Sequence, residues 1–388
     1  MSQRPIYLDC HATTPMDKRV LEAMLPYFTE HFGNPSSINH LYGWEAEAAV
    51  KKARETIANA INCSPEEIIF TSGATEANNL AIKGVAEAYF SQGQHIITVE
   101  SEHRAVLDPC KYLEILGFEI TYLPVQKDGL IDLELLEKSI RNETILVSVM
   151  TANNEIGVLQ PLQAIGEICQ KKDVLFHSDA AQAIGKIPLD VKEMNINLLS
   201  LTAHKVYGPK GIGALYIRRR DPRVNIAPQL HGGGQEKEIR SGTLYTPQIV
   251  GFGKAIELSL EELEIENKRQ TELRDRLQKQ LLSLEGVHLN GHPTQRLAGT
   301  INVSIEGVDG AALLLALQGN VALSSGSACT STTTKPSHVL KALGHSDKLA
   351  YSSLRFGLGR FTTCQEIDII SKLIIDTVKS LRQTIINH

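Results

Sequence analysis

From residue 68 to residue 217, short apolar runs alternate with amphipathic stretches. Ile68-Ile-Phe-Thr reads as a strand and leads into a helix from about Thr75; His95-Ile-Ile-Thr-Val leads into another from about Ala105. The pattern recurs at Phe118 to Pro124, Ile145 to Met150, Val174 to Ser178 and Leu198 to Leu201, and Ile212 to Ile217 reads as the next strand. Strands alternating with helices predict βαβ units and a largely parallel sheet. From Gly251 the texture changes. Leu258, Leu263, Leu273, Leu277, Leu281 and Leu284 stand mostly at helical spacings among many charges, which predicts one long exposed helix with a single apolar stripe, ended by Gly286. Beyond it lies a second α/β unit: strand Thr300 to Ile305, helix Ala311 to Leu317, strand Ser352 to Phe356 and a last helix from about Gln365.

A chain of 388 residues exceeds one typical core. The expectation is an α/β protein with a large sheet domain over residues 16–259. A smaller α/β domain would comprise 260–388 with 1–15 packed against it. Composition is 42% apolar and 21% charged with a formal net charge of −5, which gives no reason to expect nucleic acid or a membrane surface. No apolar segment follows Met1, and the longest apolar run, Ala311 to Leu317, is too short to span a bilayer. The six cysteines are scattered with no metal-finger spacing, so they read as reduced thiols of a cytoplasmic protein.

Candidate chemistry collects where strands are predicted to end, the edge of an open α/β sheet at which ligands bind. Lys205 stands between the strand closing at Leu201 and the breaker run Tyr207-Gly-Pro-Lys-Gly, with Thr202 and His204 beside it. A lone loop lysine is ordinarily a surface residue. A desolvated one forms Schiff bases with carbonyl compounds. Thr71-Ser-Gly-Ala-Thr-Glu-Ala-Asn-Asn follows a strand and opens a helix, so it is either a plain capped turn or a phosphate cup built from small residues and unpaired amides. Asp179 is suited to a helix N-cap, and equally to a protonated ring nitrogen such as that of pyridoxal phosphate (PLP), whose usual partner is a lysine Schiff base. His103 can stack on a ring or move protons. Asn153-Asn-Glu-Ile-Gly offers amide donors to a ring oxygen. Arg355 is either a surface ion pair or a two-pronged carboxylate holder. Cys329 lies in Ser324-Ser-Gly-Ser-Ala-Cys-Thr-Ser-Thr-Thr-Thr, small and polar throughout, which predicts a mobile exposed loop whose thiol can attack and carry sulfur as a persulfide.

Taken together, these motifs resemble the cysteine desulfurases of the NifS/IscS group, PLP enzymes of fold type I in the class-V aminotransferase family. The resemblance runs from Ala12-Thr-Thr-Pro to Gly357-Leu-Gly-Arg-Phe. It rests on Gly33-Asn-Pro-Ser-Ser, Thr71-Ser-Gly-Ala-Thr-Glu, Ser101-Glu-His, Asn153-Asn-Glu-Ile-Gly, Ser178-Asp-Ala-Ala-Gln, Ala203-His-Lys, Arg240-Ser-Gly-Thr and Ser325-Gly-Ser-Ala-Cys-Thr-Ser. It implies that Lys205 binds PLP covalently, with Asp179 on the pyridine nitrogen and His103 stacked on the ring. Ala74, Thr75, Thr202 and His204 would hold the phosphate, Asn154 and Gln182 the ring oxygen, and Arg355 with Asn154 the substrate. Thr243 would complete the phosphate site of a neighbouring subunit, making the active unit a homodimer.

The implied reaction turns L-cysteine into L-alanine and a Cys329 persulfide, with Lys205 and His103 handling protons. An iron–sulfur scaffold or tRNA-thiolation protein would take the sulfur. No resident metal is implied, though Cys329 is placed to ligate an iron–sulfur cluster transiently. Two departures stand out. Cys10-His11 replaces the Asn-Asn often found after Leu-Asp in this family, and the chain stops at His388, soon after its last helix, where close relatives carry a scaffold-docking tail. A selenocysteine lyase or cystine C–S lyase on the same frame, and a non-catalytic phosphate-ligand binder or scaffold, remain alternatives.

Overall fold

The computed structural model describes residues 4–324 and 336–386. After a short strand β1 (Ile6–Tyr7), the central sheet is built from β2 (Ile68–Thr71), β3 (His95–Val99), β4 (Glu119–Leu123), β5 (Thr144–Ser148), β6 (Leu175–Asp179), β7 (Leu198–Thr202) and β8 (Gly213–Ile217). Their order is β2-β8-β7-β6-β5-β3-β4. The pairs from β4 to β7 are parallel, while β8 runs antiparallel to both β7 and β2. Two reversals restore the direction, so β2 ends on the same edge as β3, β5, β6 and β7. Every position of β3, β5, β6, β7 and β8 is buried, which is why these strands read as apolar runs rather than alternations. Their side chains divide between two apolar cores, one containing Phe70, Phe176 and Phe252, the other Ile69, Leu80 and Leu146.

Helix α1 (Leu41–Ala60) lies against α4 (Thr246–Glu261), while α2 (Ala74–Ala88) and α3 (Arg104–Ile115) pack on each other. The long helix expected after Gly251 is two helices. It breaks at Glu262 (φ −100°, ψ 1°), and α5 (Leu263–Leu282) begins on the other side. The leucine spacing concealed the break because the two halves serve different cores. Leu258 belongs to the core of the central sheet, whereas Leu273, Leu277 and Leu281 pack with Leu8, Ile301 and Phe356. At the break, the Glu262 carboxylate receives Arg19 at 2.7 Å and Arg360 at 3.1 Å.

A three-stranded antiparallel sheet, β9 (Val287–Leu289), β10 (Thr300–Ile305) and β12 (Ser353–Gly357), has β10 in its middle. Helices α6 (Gly310–Leu317) and α7 (Cys364–Ile386) accompany it. The N-terminal strand β1 pairs in parallel with β11 (Val321–Ala322), and Asp9 then bridges to Gly357. Residues 9–17 therefore pass from this second unit onto the edge of the central sheet, where Thr14 and Asp17 amides donate to the carbonyls of His204 and Tyr207.

His177, in the middle of β6, is held between Ser148 Oγ on Nδ1 (2.8 Å) and Ser200 Oγ on Nε2 (3.0 Å). Burial lowers its imidazole pKa to about 3. Above about pH 6.5 the ring is neutral in folded and unfolded chains alike; below that, the unfolded chain alone takes up the proton until pH nears the folded value. Stability is therefore lost as pH falls through that window. His177→Gln is expected to flatten the decline in urea-unfolding free energy between pH 6 and 4 by up to about 1.4 kcal/mol per pH unit, the slope of a single proton. An unchanged slope would mean that the ring charges without cost.

Candidate active site

The ends of β2, β3, β5, β6 and β7 face a cavity of about 670 Å³. Ala74, Thr75, Thr202 and His204 line one part of it, and His103, Asn154, Asp179, Gln182, Lys205 and Arg355 the rest. All of these were singled out from the sequence. They converge because a parallel sheet delivers each strand end to one edge.

The Thr75 side opens on the N-terminus of α2. Its cap, Gly73, sits at φ +152° and ψ −179°, a conformation closed to residues with a Cβ. The amides that follow are donors without an intrahelical partner, arranged as an anion site requires. The turn is braced from outside: Ser72 N donates to Glu76 Oε2 at 2.7 Å, and Arg240 forks onto the same carboxylate at 2.7 and 3.2 Å. His204 hydrogen-bonds through Nδ1 to Thr13 Oγ1 at 3.1 Å. Burial, and then the nearby Lys205 charge, lower its pKa to about 4, so it meets an anion as a neutral ring.

In the middle, the buried Asp179 carboxylate accepts from Asn78 Nδ2 at 2.7 Å and from Ala181 N at 2.9 Å. Asn78 Oδ1 has no partner among the described residues. A second carboxyl lies close by, that of Glu102. Full burial pushes its pKa well up, against the opposing hydrogen bond from Met150 N, and Asp179 adds to the rise. Of the two buried carboxyls, Glu102 is the one driven toward its neutral form. His103 caps α3, its Nδ1 accepting from Ala105 N at 3.1 Å, so in the neutral ring Nε2 carries the proton. Burial lowers its pKa, and Asp179 opposes that shift. Lys205 Nζ donates to the carbonyl of His11.

At the opposite side Arg355 is buried and paired: Nη2 meets Asp9 Oδ1 at 2.8 Å and Nη1 donates to Asn154 O at 3.2 Å. Its Nε is buried without a partner among the described residues. Asp9 Oδ2 also accepts from Ser324 Oγ at 2.9 Å.

Two predicted residues are not part of this lining. Thr243 is exposed and away from the cavity, and Cys329 lies outside the described residues. Cys10, flagged as a second thiol near the site, is buried beside Gly359, and burial raises its pKa to about 12. It is a packing thiol. Asp9, Asn78, Glu102 and Lys186 were not anticipated as site residues. Asn78 and Glu102 sit inside quoted motifs, which was the available signal; Asp9 pairs with a residue 346 positions away, and no local pattern marks that.

A cavity of this size with a lysine, a carboxylate and a histidine around a helix N-terminus suits an aromatic cofactor bearing a phosphate. The match to the class-V aminotransferase model covers residues 6–370. A mitochondrial cysteine desulfurase of Arthroderma benhamiae is 57% identical over 382 residues, 98% of this chain and 76% of that protein. The cysteine desulfurase IscS of Rickettsia bellii is 55% identical over 97% of this chain and 92% of its own length. A solved NifS-like protein superposes with a TM-score of 0.90 at 40% identity, over 97% of this chain and 100% of its own. The chain belongs to the class-V aminotransferase family. Within that family it falls in the cysteine desulfurase group, and its fold is that of the fold-type I PLP enzymes.

The Asp9–Arg355 pair sets a cost that can be measured. Removing one partner of a buried ion pair strands the other charge. Asp9→Ala is expected to lower urea-unfolding stability by about 3 kcal/mol, with Asp9→Asn losing less because it keeps an acceptor. Equal stability of Asp9→Ala and wild type would show that Arg355 has another counter-charge.

Proposed function

We propose that this chain is a PLP-dependent L-cysteine desulfurase that passes the substrate sulfur to Cys329. The observation that carries the reading is Lys205 and Asp179 at the ends of neighbouring strands, facing one cavity that also holds a helix N-terminus and a buried arginine. The lysine, the buried carboxylate and the small-residue cup fit the three functional ends of PLP: aldehyde, pyridine nitrogen and phosphate. When bound, that group supplies an electron sink at the substrate carbon.

The chain's own residues do the rest. Arg355 takes the substrate carboxylate and fixes the amino acid's direction. His103 Nε2 and Lys205 Nζ carry protons at the reacting carbon and nitrogen. The Cys329 thiolate attacks the cysteine Sγ; the S–S bond forms as the C–S bond breaks, and the bond's electron pair stays with carbon. A proton then returned to that carbon gives alanine, and the sulfur remains on Cys329 as a persulfide. An iron–sulfur scaffold or a thiolation protein is the acceptor we propose.

The active unit is a homodimer. Thr243 is exposed and does not line its own cavity, and the Arg240–Glu76 fork holds the segment that carries it. Close to it, exposed Tyr245 packs edge-on against exposed Phe28 at 6.2 Å, and exposed Phe32 and Tyr42 form a tilted pair at 5.3 Å. Exposed aromatic clusters are typical of interface cores. The five described cysteines are unpaired, as in a reducing compartment; cytoplasmic placement is our reading.

Alanine and sulfide released from L-cysteine under reducing conditions test the assignment. Wild type is expected to produce both, and Cys329→Ala at least about 100-fold less, as for loss of a covalent nucleophile. Equal alanine from both would remove Cys329 from the mechanism. Thr243→Val is expected to weaken PLP retention about tenfold, the worth of one hydrogen bond to a charged group; unchanged retention would sink the shared phosphate site.

A further inference from the structure

His11 lines two cavities. One is the large cavity with Lys205, which Gln182 also lines; the other is a water-sized space of about 30 Å³ lined by Cys10, Lys186, Tyr207 and Arg360, among others. The carboxamide of Gln182 has hydrogen-bond partners that fix which end faces which way. Its Nε2 donates to the carbonyl of His11 at 3.0 Å, and a backbone carbonyl can only accept. Its Oε1 accepts from Lys186 Nζ at 3.1 Å and stands 3.3 Å from His11 Nδ1.

His11 is the residue that departs from the family pattern, and it is buried. Burial, and then the charges of Lys186, Arg355 and Lys205, hold its pKa well below the usual imidazole value, so the ring is neutral with a single N–H. Thr300 Oγ1 lies 2.7 Å from Nε2 and can donate there, which leaves that N–H on Nδ1, aimed at Gln182 Oε1. Reversing the amide would set Oε1 against the His11 carbonyl, two acceptors face to face, and its NH₂ against the donors of Lys186 and His11. One hydrogen on Nε2 is left without a partner among the described residues, on the amide end turned from Lys186.

We propose that Lys186 and His11 are positioning residues that lock the Gln182 carboxamide with its spare N–H toward the ring oxygen of the cofactor. The inference rests on the PLP reading of the cavity. It gives work to a lysine that burial, and then the Lys205 charge, bring to a pKa of about 7, and whose hydrogen-bond partner is an amide rather than a carboxylate. The charged and titratable groups around it are Lys205 above, Cys10 and His11 from the N-terminal segment, Tyr207 from the lysine loop, Glu266 from α5, and Arg360. Glu266 is itself engaged by Arg269 at 3.2 Å and Gln270 at 2.9 Å.

The readout is the pH midpoint at which the visible absorption band of bound PLP changes, which requires no turnover. A donor on the ring oxygen stabilises its anion and so lowers that midpoint; loss of the donor raises it. Lys186→Met and His11→Leu are each expected to raise the midpoint by about one unit, the order of a hydrogen bond to a charged oxygen. In a Gln182→Leu background, already raised, Lys186→Met should add less than about 0.3 unit, because coupled residues are non-additive. An equal shift in both backgrounds would show Lys186 acting by its charge alone and overturn the lock, as would an unmoved midpoint in both single variants. Wild type that gains no visible band with PLP would instead overturn the cofactor reading beneath it.

Discussion

A carboxylate taken out of water must find donors or be driven toward its neutral form, and the cavity is lined by the better provided of two buried carboxyls. Asp179 accepts from Asn78 and the Ala181 amide; Glu102 has a single backbone donor, and burial drives its pKa well up. Two groups of the same chemistry thereby meet different environments. The cationic residues line the same cavity from other elements: Lys205 just past the neighbouring strand β7, Arg355 from β12.

The second demand is neutrality at the opposite side. Arg355 is buried, and its charge is answered by Asp9 from the far end of the chain. The same N-terminal stretch supplies the carbonyl that receives Lys205, the ring that holds Gln182 and the Thr14 hydroxyl that binds the backbone of the lysine loop. Residues 9–17 thus act as a polar seam along the sheet edge, meeting backbone and side-chain groups that a loop connection would otherwise leave buried and unpaired.

What the sequence disclosed follows the physics of burial. Strands covered on both faces are continuous apolar runs, so β2, β3, β5, β6 and β7 and the polar residues just past them were readable, and those residues are the cavity lining. The family motifs added the role of each. The break at Glu262 was not readable, because leucines serving two different cores still keep helical spacing. Nor was the pairing of Asp9 with Arg355, or of Lys186 with Gln182 and His11, since each is fixed by tertiary approach; the Cys10-His11 departure pointed to the right place, but to the thiol, whereas it is the imidazole that meets the site.

The bridge from Asp9 to Gly357 has a bearing on synthesis. Domains gain structure as they leave the ribosome, the N-terminal parts first. Here Asp179 and Lys205 are made long before β12, while the segment that closes the edge of the cavity pairs with a strand made almost last. The groups proposed to hold the cofactor thus precede, in the order of synthesis, the arginine proposed to meet the substrate.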